Sequence, residues 1–354
     1  MKALVLSGGT GTRLRPLTNT TTKQLLLVGN RPILFYIMNI IKEARIKSTG
    51  VVVSPMWGER VREALGDGSR WETQITYIVQ AKPAGLADAV RTARDFLVDS
   101  PFLMVLGDNI YKISISDYLA KFQGQKIDAL PLLKAVDKPS HFGIATLTSG
   151  GRIAQVQEKP KQPASNLALA GMYLFSPVIH EAIESIKPSP RGELEMTDAI
   201  QKLIDMKREV RGYIFDGWWL DTGSKDDLLQ ANRSVLEEFM RPDIRGQINF
   251  GSEIKGKVEI MEEAVIENSL ISGPVSIAAN CLIKNSSIGP FASIGPQTII
   301  EECTIENSVI QGNCRLSKIH HLTSSFIGER VEMMAGSADK AVKVFLGDSS
   351  ILSF

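Results

Sequence analysis

From residue 254 onward one residue type returns on a fixed beat. Ile254, Ile260, Ile266, Ile271, Ile277, Ile283, Ile288, Ile294, Ile300, Ile305 and Ile310 stand five or six positions apart. Three such steps make 17 residues, so Ile266, Ile283 and Ile300 share one phase and Ile271, Ile288 and Ile305 another. Aligning "IENSLISGPVSIAANCL", "IKNSSIGPFASIGPQTI" and "IEECTIENSVIQGNCRL" on that period also stacks the small residues Ser269, Ser286 and Cys303 in one column. A unit this short cannot enclose a core alone; it buries its apolar side chains only by stacking on copies of itself. Faces of five to six residues, each with one inward isoleucine, describe a three-sided coil, the left-handed parallel β-helix, expected over residues 253–333. Antiparallel strands would show alternation of period two, which is weak here.

Upstream the pattern is different. Up to about residue 235, apolar runs at 2–6, 50–54, 74–79, 102–106, 129–134 and 170–175 alternate with helical stretches at 33–45, 59–65, 85–96, 115–122 and 178–186. Such alternation predicts an α/β domain with a Rossmann-like, mostly parallel sheet over residues 1–236. In sheets of this kind ligands collect at the carboxyl ends of the strands, at a topological switch point. Residues 237–252 are expected to form a helical linker, with the helical stretch 226–240 capping the near end of the coil. The tail 334–354, with "KVFLGDSSILSF", is expected to cover the far end or to pair with another subunit.

Composition narrows the function classes. With 40 Lys and Arg against 39 Asp and Glu, the net charge is +1, so no broad field draws the chain to nucleic acid or to anionic lipid, and any anion site must be local. No apolar stretch approaches the roughly 18 residues of a membrane span, and the N-terminus lacks a signal-peptide layout, so a cytoplasmic protein is expected. Cys281, Cys303 and Cys314 form neither a disulfide framework nor a CxxC pair and read as reduced packing residues. His320 and His321 are adjacent, so in extended chain their rings point apart, which suits surface histidines better than a shared metal.

The opening strand runs into "SGGTGTRLRP", residues 7–16. A turn with so little side-chain bulk lets backbone N–H groups approach an anion, and its arginines add charge. A GxGxxG fingerprint would need a glycine where Leu14 stands, and the Walker pattern GxxxxGK[ST] fails as well. What remains is a turn with Thr12 and Arg13, and Lys23 a few residues on: groups able to clamp a triphosphate, or a structural turn with solvated arginines. Asp108 ends the apolar run "PFLMVLGD" and Asp221 lies in "WWLDTG". Either could meet a hard cation such as Mg²⁺, or simply cap a turn or helix. Gln80 offers an amide to a base edge, while "PAG" by itself is a turn before a helix. "QEKP" by itself is a charged turn.

Taken together, these segments resemble the sugar-1-phosphate nucleotidylyltransferases, whose consensus reads close to GGxGTRLxPxT followed by KxLxPV. "QAKPAGLADAV", "VLGDNIY", "HFGIA", "QEKP", "AGMYLF", "SPRGELEMTD" and "WLDTGSKDDLLQAN" follow in the family's order. The resemblance is greatest to the thymidylyl-transferring branch in its long form, which carries a C-terminal β-helix. It implies Mg²⁺-dependent transfer of a nucleotidyl group from dTTP to glucose 1-phosphate, giving dTDP-glucose and pyrophosphate. UTP is the alternative donor, and a nucleotide-sugar-binding paralogue without turnover is the alternative of another class. By this resemblance Arg13 and Lys23 serve the phosphates with Gly8, Gly9, Gly11, Thr12 and Gln24. Asp108 and Asp221 hold the metal, Gln80 and Gly85 meet the base, and Gly143, Glu158, Lys159 and Gly171 line the sugar and its phosphate. Three departures stand out: Ser7 for alanine, Leu27 where proline is expected, and His141-Phe142-Gly143 for tyrosine-glycine. The last removes a phenolic hydroxyl near the expected sugar site. An acyltransferase role for the β-helix would need a longer coil and a catalytic base, for which only His320–His321 could serve; the coil is expected to mediate homo-oligomer assembly instead.

Overall fold

The computed structural model describes residues 1–9, 11–334 and 341–353; Thr10 of the glycine turn and, from the expected tail, residues 335–340 and 354 lie outside the described residues. The chain divides into two compact units, residues 1–9 with 34–220, and residues 10–33 with 221–354.

In the first unit the apolar runs build a nine-stranded sheet. Its centre is four parallel strands in the spatial order Phe102–Leu106, Lys2–Ser7, Ser48–Val53, Gln74–Val79. Near-continuous Val and Leu runs suit strands covered on both faces, and Leu4, Val5, Val51 and Met104 are fully buried. Leu167–Phe175 adds antiparallel to Phe102–Leu106 and continues the sheet to Gly143–Leu147 and Ile153–Glu158, with Ala129–Ala135 and Tyr213–Ile214 as a branch. The strands at 143–147, 153–158 and 213–214 and the helix Met196–Asp205 are not foreseen from sequence. Ile153–Glu158 is an edge strand with only Ile153 and Val156 buried, too sparse an apolar pattern to stand out. The expected helix at 85–96 breaks at Ala93 into Leu86–Thr92 and Arg94–Leu97.

His180, on the helix Ile179–Ser185, stacks on Phe102 with ring centroids 6.0 Å apart. Burial, helped by the charge of Arg94, pushes its pKa down to about 4. Between that value and the ordinary 6.5 the unfolded chain takes up a proton that the native chain refuses, so stability falls as pH drops through this window. The expected loss is about 3 kcal/mol by pH 4 relative to pH 7. Urea denaturation at both pH values checks it: His180→Phe should flatten that part of the pH dependence, and an unchanged slope would refute the assignment.

The second unit is the three-sided coil. Its parallel strands stack into sheets of seven, seven and five strands. One ladder aligns Ile260, Ile277, Ile294 and Ile310, a second Ile266, Ile283, Ile300 and Leu316, a third Ile254, Ile271, Ile288 and Ile305. All but Ile254 are fully buried, as the inward position demands. The small-residue column is hydrogen-bonded: the Ser286 N–H donates to Ser269 Oγ (3.0 Å) and the Cys303 N–H to Ser286 Oγ (3.1 Å). The coil is longer than the isoleucine count implies. Residues 243–248 are not a helical linker but the strands Asp243–Ile244 and Gln247–Ile248, because Ile244 and Ile248 fall in register with Ile260 and Ile266. At the other end the tail adds rungs, Phe345–Leu346 on Phe326–Ile327 and Ile351–Ser353 on Glu332–Met334.

Lys225–Glu238 opens with a Ser224–Asp227 capping box and lies along the middle coils instead of closing the end. Its Asn232 donates to the Phe291 carbonyl (3.2 Å) and accepts from Ser293 Oγ (2.7 Å) and from the Gly29 N–H (2.9 Å). The segment 10–33 is held to the same coils: the Leu27 N–H donates to Gln311 Oε1 (3.1 Å) and Asn30 Nδ2 to the Ser276 carbonyl (2.9 Å). The three cysteines are free and buried, their thiols pushed up by burial to about 11 at Cys281 and Cys303 and about 12 at Cys314, which leaves them as inert packing groups. His321 Nε2 pairs with Glu306 Oε1 at 3.0 Å while His320 is exposed.

Candidate active site

The four parallel strands all point their carboxyl ends the same way, and three of them deliver a predicted residue there. Lys2–Ser7 ends at Gly8 and Gly9, Gln74–Val79 at Gln80, and Phe102–Leu106 at Gly107 and Asp108. The chain passes from Lys2–Ser7 to Ser48–Val53 on one side and later returns to place Phe102–Leu106 on the other, so the strand order reverses at the first strand. Gly8, Gly9 and Asp108 therefore stand at the switch point, where crevices form in such sheets. The Gly107 N–H donates to the Leu6 carbonyl (2.9 Å), which fixes the backbone just before Asp108.

Asn109, 1% exposed, holds that carboxylate's orientation: its Nδ2 donates to Asp108 Oδ1 at 2.9 Å, and its own carbonyl oxygen accepts from Trp219 Nε1. The Lys112 N–H donates to the Trp218 carbonyl at 2.9 Å, so the chain at Trp218 runs beside the end of the strand Asn109–Tyr111. Phe142, at the position lacking the phenol, packs its ring edge-on to Trp219 at 5.2 Å. Asn109 escaped the sequence reading although it sits inside "VLGDNIY".

Gly143 and Glu158, 15 residues apart in sequence, are directly opposed partners across two antiparallel strands. A Cβ on Gly143 would lie 2.6 Å from Thr197 Cγ2 and 3.2 Å from Glu158 Oε2, so glycine is what lets the carboxylate sit there. Glu158 accepts from Thr197 Oγ1 (3.2 Å) and Arg191 Nη2 (3.1 Å), with Lys159 Nζ at 3.6 Å. Arg191 also grips the buried Glu195 at 2.8 Å. It loses stabilisation of its charge to desolvation, but Glu195, Glu193 and Glu158 more than offset this and raise its pKa. Sequence alone gave Arg191 no role; its signal was the lone arginine of "SPRGELEMTD". Lys159 is half-exposed and in the left-handed region at φ 41°, its N–H bonded to the Phe142 carbonyl at 3.0 Å. Gly171 (φ +73°) interrupts the register of Leu167–Phe175 at a bulge, and a Cβ there would lie 2.8 Å from Leu106 and 3.1 Å from the Tyr111 hydroxyl.

Glycine at position 85 is required by the backbone packed against it. At φ +105° it precedes Leu86–Thr92, and a Cβ would lie 2.4 Å from the Leu194 carbonyl oxygen and 2.7 Å from its nitrogen. The space its missing side chain leaves is filled by backbone, not open to a ring.

The remaining predicted residues belong to the second unit. Thr12–Leu14 is a short 3₁₀ turn anchored by fully buried Leu14 and Leu17, which leaves Thr12 and Arg13 exposed. Gly11, ahead of it, packs close to Thr18 and Lys23. Lys23 and Gln24 sit in the turn Lys23–Leu25; Gln24 is 2% exposed and its oxygen accepts from Thr22 Oγ1. Lys23 Nζ lies 3.5 Å from Asp221 Oδ1, so the structure brings together two predicted residues 198 positions apart. Among the described residues no group of three or more His, Cys, Asp or Glu could hold a metal ion. Mg²⁺ does not require one: it is commonly bound by one or two carboxylates with waters and substrate phosphate oxygens, and Asp108 and Asp221 each offer a carboxylate of that kind. No helix of the described residues is long and apolar enough to cross a membrane.

Comparison with known proteins identifies the relatives of the chain. The family model of the nucleotidyl transferases matches residues 2–238. A glucose-1-phosphate thymidylyltransferase of Streptomyces griseus is 43% identical over 351 residues, covering 99% of this chain and 98% of the relative. A low-salt glycan biosynthesis nucleotidyltransferase of Haloferax volcanii is 43% identical over 341 residues, 96% of this chain and 95% of the relative. A crystal structure from Bacillus anthracis, provisionally assigned as a glucose-1-phosphate thymidylyltransferase and solved with sucrose, superposes with a TM-score of 0.62 at 36% identity, covering 66% of this chain and 94% of that one. A chain whose switch point carries Gly8, Gly9 and Asp108, and which the family model matches across more than half its length, is a member of the nucleotidyl transferase family.

Proposed function

We propose that the chain transfers a thymidylyl group from dTTP to glucose 1-phosphate, giving dTDP-glucose and pyrophosphate. The observation that carries this reading is the meeting of Gly8, Gly9, Gln80 and Asp108 at the carboxyl ends of parallel strands, around the switch point. It is supported by 43% identity, over nearly the full length, to a relative named as a glucose-1-phosphate thymidylyltransferase. The phosphate oxygen of the sugar is already an anion, so attack on the α-phosphorus needs no general base; the protein's work is positioning and charge compensation. In this reading Arg13 and Lys23 bind the triphosphate and stabilise the departing pyrophosphate. Gln80 addresses the base, Glu158 beside Gly143 accepts from sugar hydroxyls, and Lys159 orients the attacking phosphate. Asp108 and Asp221 would hold Mg²⁺, which when bound neutralises charge on the phosphates.

UTP is the second reading for the donor. Uracil lacks one methyl of thymine, worth about 1 kcal/mol of contact, and the Gln80 amide meets the same edge in both. The substrates are metabolites of the cell interior, so the reaction belongs in the cytoplasm. A homo-oligomer is part of the reading, supported by the exposed Ile244, Ile248 and Phe250 of the first coil.

The test is pyrophosphate release from the purified chain with Mg²⁺, a panel of nucleoside triphosphates and several sugar 1-phosphates. Release should be strongest with dTTP and glucose 1-phosphate. A preference for UTP in direct competition would select the second donor, and no release with any pair would refute the activity.

A further inference from the structure

Gln80 is not free to turn its amide. It is buried, 8% exposed, and its Nε2 donates to Asp88 Oδ2 at 2.7 Å, with the Gly85 carbonyl oxygen at 3.5 Å on the same side. A carboxylate and a carbonyl can only accept, so whatever Gln80 shows them must be its nitrogen; chemistry fixes the orientation independently of how the amide is drawn. Asp88 is held in turn. It is 7% exposed, and its other oxygen, Oδ1, accepts from Arg91 Nη2 at 2.5 Å one turn along the helix Leu86–Thr92. The consequence falls on the opposite side of the amide. Gln80 Oε1 is left with no hydrogen-bond partner among the described residues, and it faces the bare side of Gly8, where a Cβ would stand 3.3 Å away. The crevice is therefore offered an acceptor and not a donor.

That distinction reads one feature of a pyrimidine. Thymine and uracil carry N3–H, a donor flanked by two carbonyls, whereas N3 of cytosine is an acceptor. An amide locked with oxygen outward pairs with the first two and sets acceptor against acceptor in the third, leaving a buried polar atom unsatisfied, which is costly. We propose that Asp88 is a positioning residue for base selection: by fixing the Gln80 amide with Oε1 toward the crevice, it makes the site accept pyrimidines bearing N3–H and reject cytosine. The inference rests on the proposed nucleotidyl transfer and adds to it the residue that sets donor-base specificity.

Asp88→Asn keeps the side chain's shape but offers both a donor and an acceptor, so Gln80 can adopt either orientation; Asp88→Ala removes the acceptor. The measurement is kcat/KM for pyrophosphate release with dTTP and with dCTP, each with glucose 1-phosphate and Mg²⁺, alongside the unfolding midpoint. Wild-type enzyme should favour dTTP strongly. In either variant the dTTP-to-dCTP ratio should fall by about 10- to 100-fold, mostly through KM, while dTTP and UTP keep their ratio to each other. In a Gln80→Ala background the Asp88 substitutions should leave the dTTP-to-dCTP ratio where Gln80→Ala put it, since the two residues act as one unit. A role confined to stability would lower both activities in parallel, and an unchanged ratio in both variants overturns the proposal. Absence of release by the wild-type protein with any pyrimidine triphosphate is a different result: it refutes the transfer reaction itself, and this inference with it.

Discussion

Replacing Asp108 or Asp221 with alanine should lower kcat/KM for pyrophosphate release by about 10²–10³-fold. Each loss removes a carboxylate proposed to hold Mg²⁺ where charge builds on the phosphates, so the Mg²⁺ concentration needed for half-maximal rate should also rise. The two variants should differ in stability. Asp108 accepts from the Asn109 amide, so its loss takes an acceptor from a neutral donor and not from a charge. Asp221 lies 3.5 Å from Lys23 Nζ, whose side chain is only 8% exposed, so Asp221→Ala takes an anion from a largely buried cation and should lower the unfolding midpoint as well. Asp221→Asn, which keeps the shape but not the charge, should lose activity like the alanine variant. Activity within tenfold of wild type in either alanine variant would show that the metal is held elsewhere.

Ile300→Asp should unfold the coil, while Ile299→Asp one position earlier should not. The two residues are neighbours in the strand Ile299–Glu301, but Ile300 is fully buried between Ile283 and Leu316 of adjoining rungs and Ile299 is half-exposed on the outer face. A carboxylate at 300 would be buried with no partner, at a cost of several kcal/mol. In a solenoid each rung is stabilised only by its neighbours, so a broken middle rung weakens the stack on both sides. Ile300→Ala, which leaves a cavity without a charge, should cost about 2–5 kcal/mol. Urea unfolding followed by circular dichroism reads all three. Equal midpoints for the 299 and 300 aspartates would contradict the inward assignment.

The ladder was legible because its signal is local and repeated: the 17-residue phase that places Ile266, Ile283 and Ile300 in one column is the register observed. Its ends were harder to read, since Ile244 and Ile248 stand outside the isoleucine run yet join the same sheets. In the first unit the strands that are apolar throughout were evident. Gly143–Leu147 and Ile153–Glu158 were hidden by their thin apolar pattern, and with them the reason Gly143 and Glu158 belong together.

Sequence by itself determined the two architectures and supplied most of the candidate site residues, because periodicity and residue type are properties of short segments. It could not determine which distant side chains meet. That Lys23 reaches Asp221, that Leu194 backbone fills the space beside Gly85, and that Asp88 turns the Gln80 amide were decided only by tertiary structure. The physical reason is that a hydrogen bond or close contact requires ångström-scale approach and orientation, and the folded backbone, not distance along the chain, supplies them.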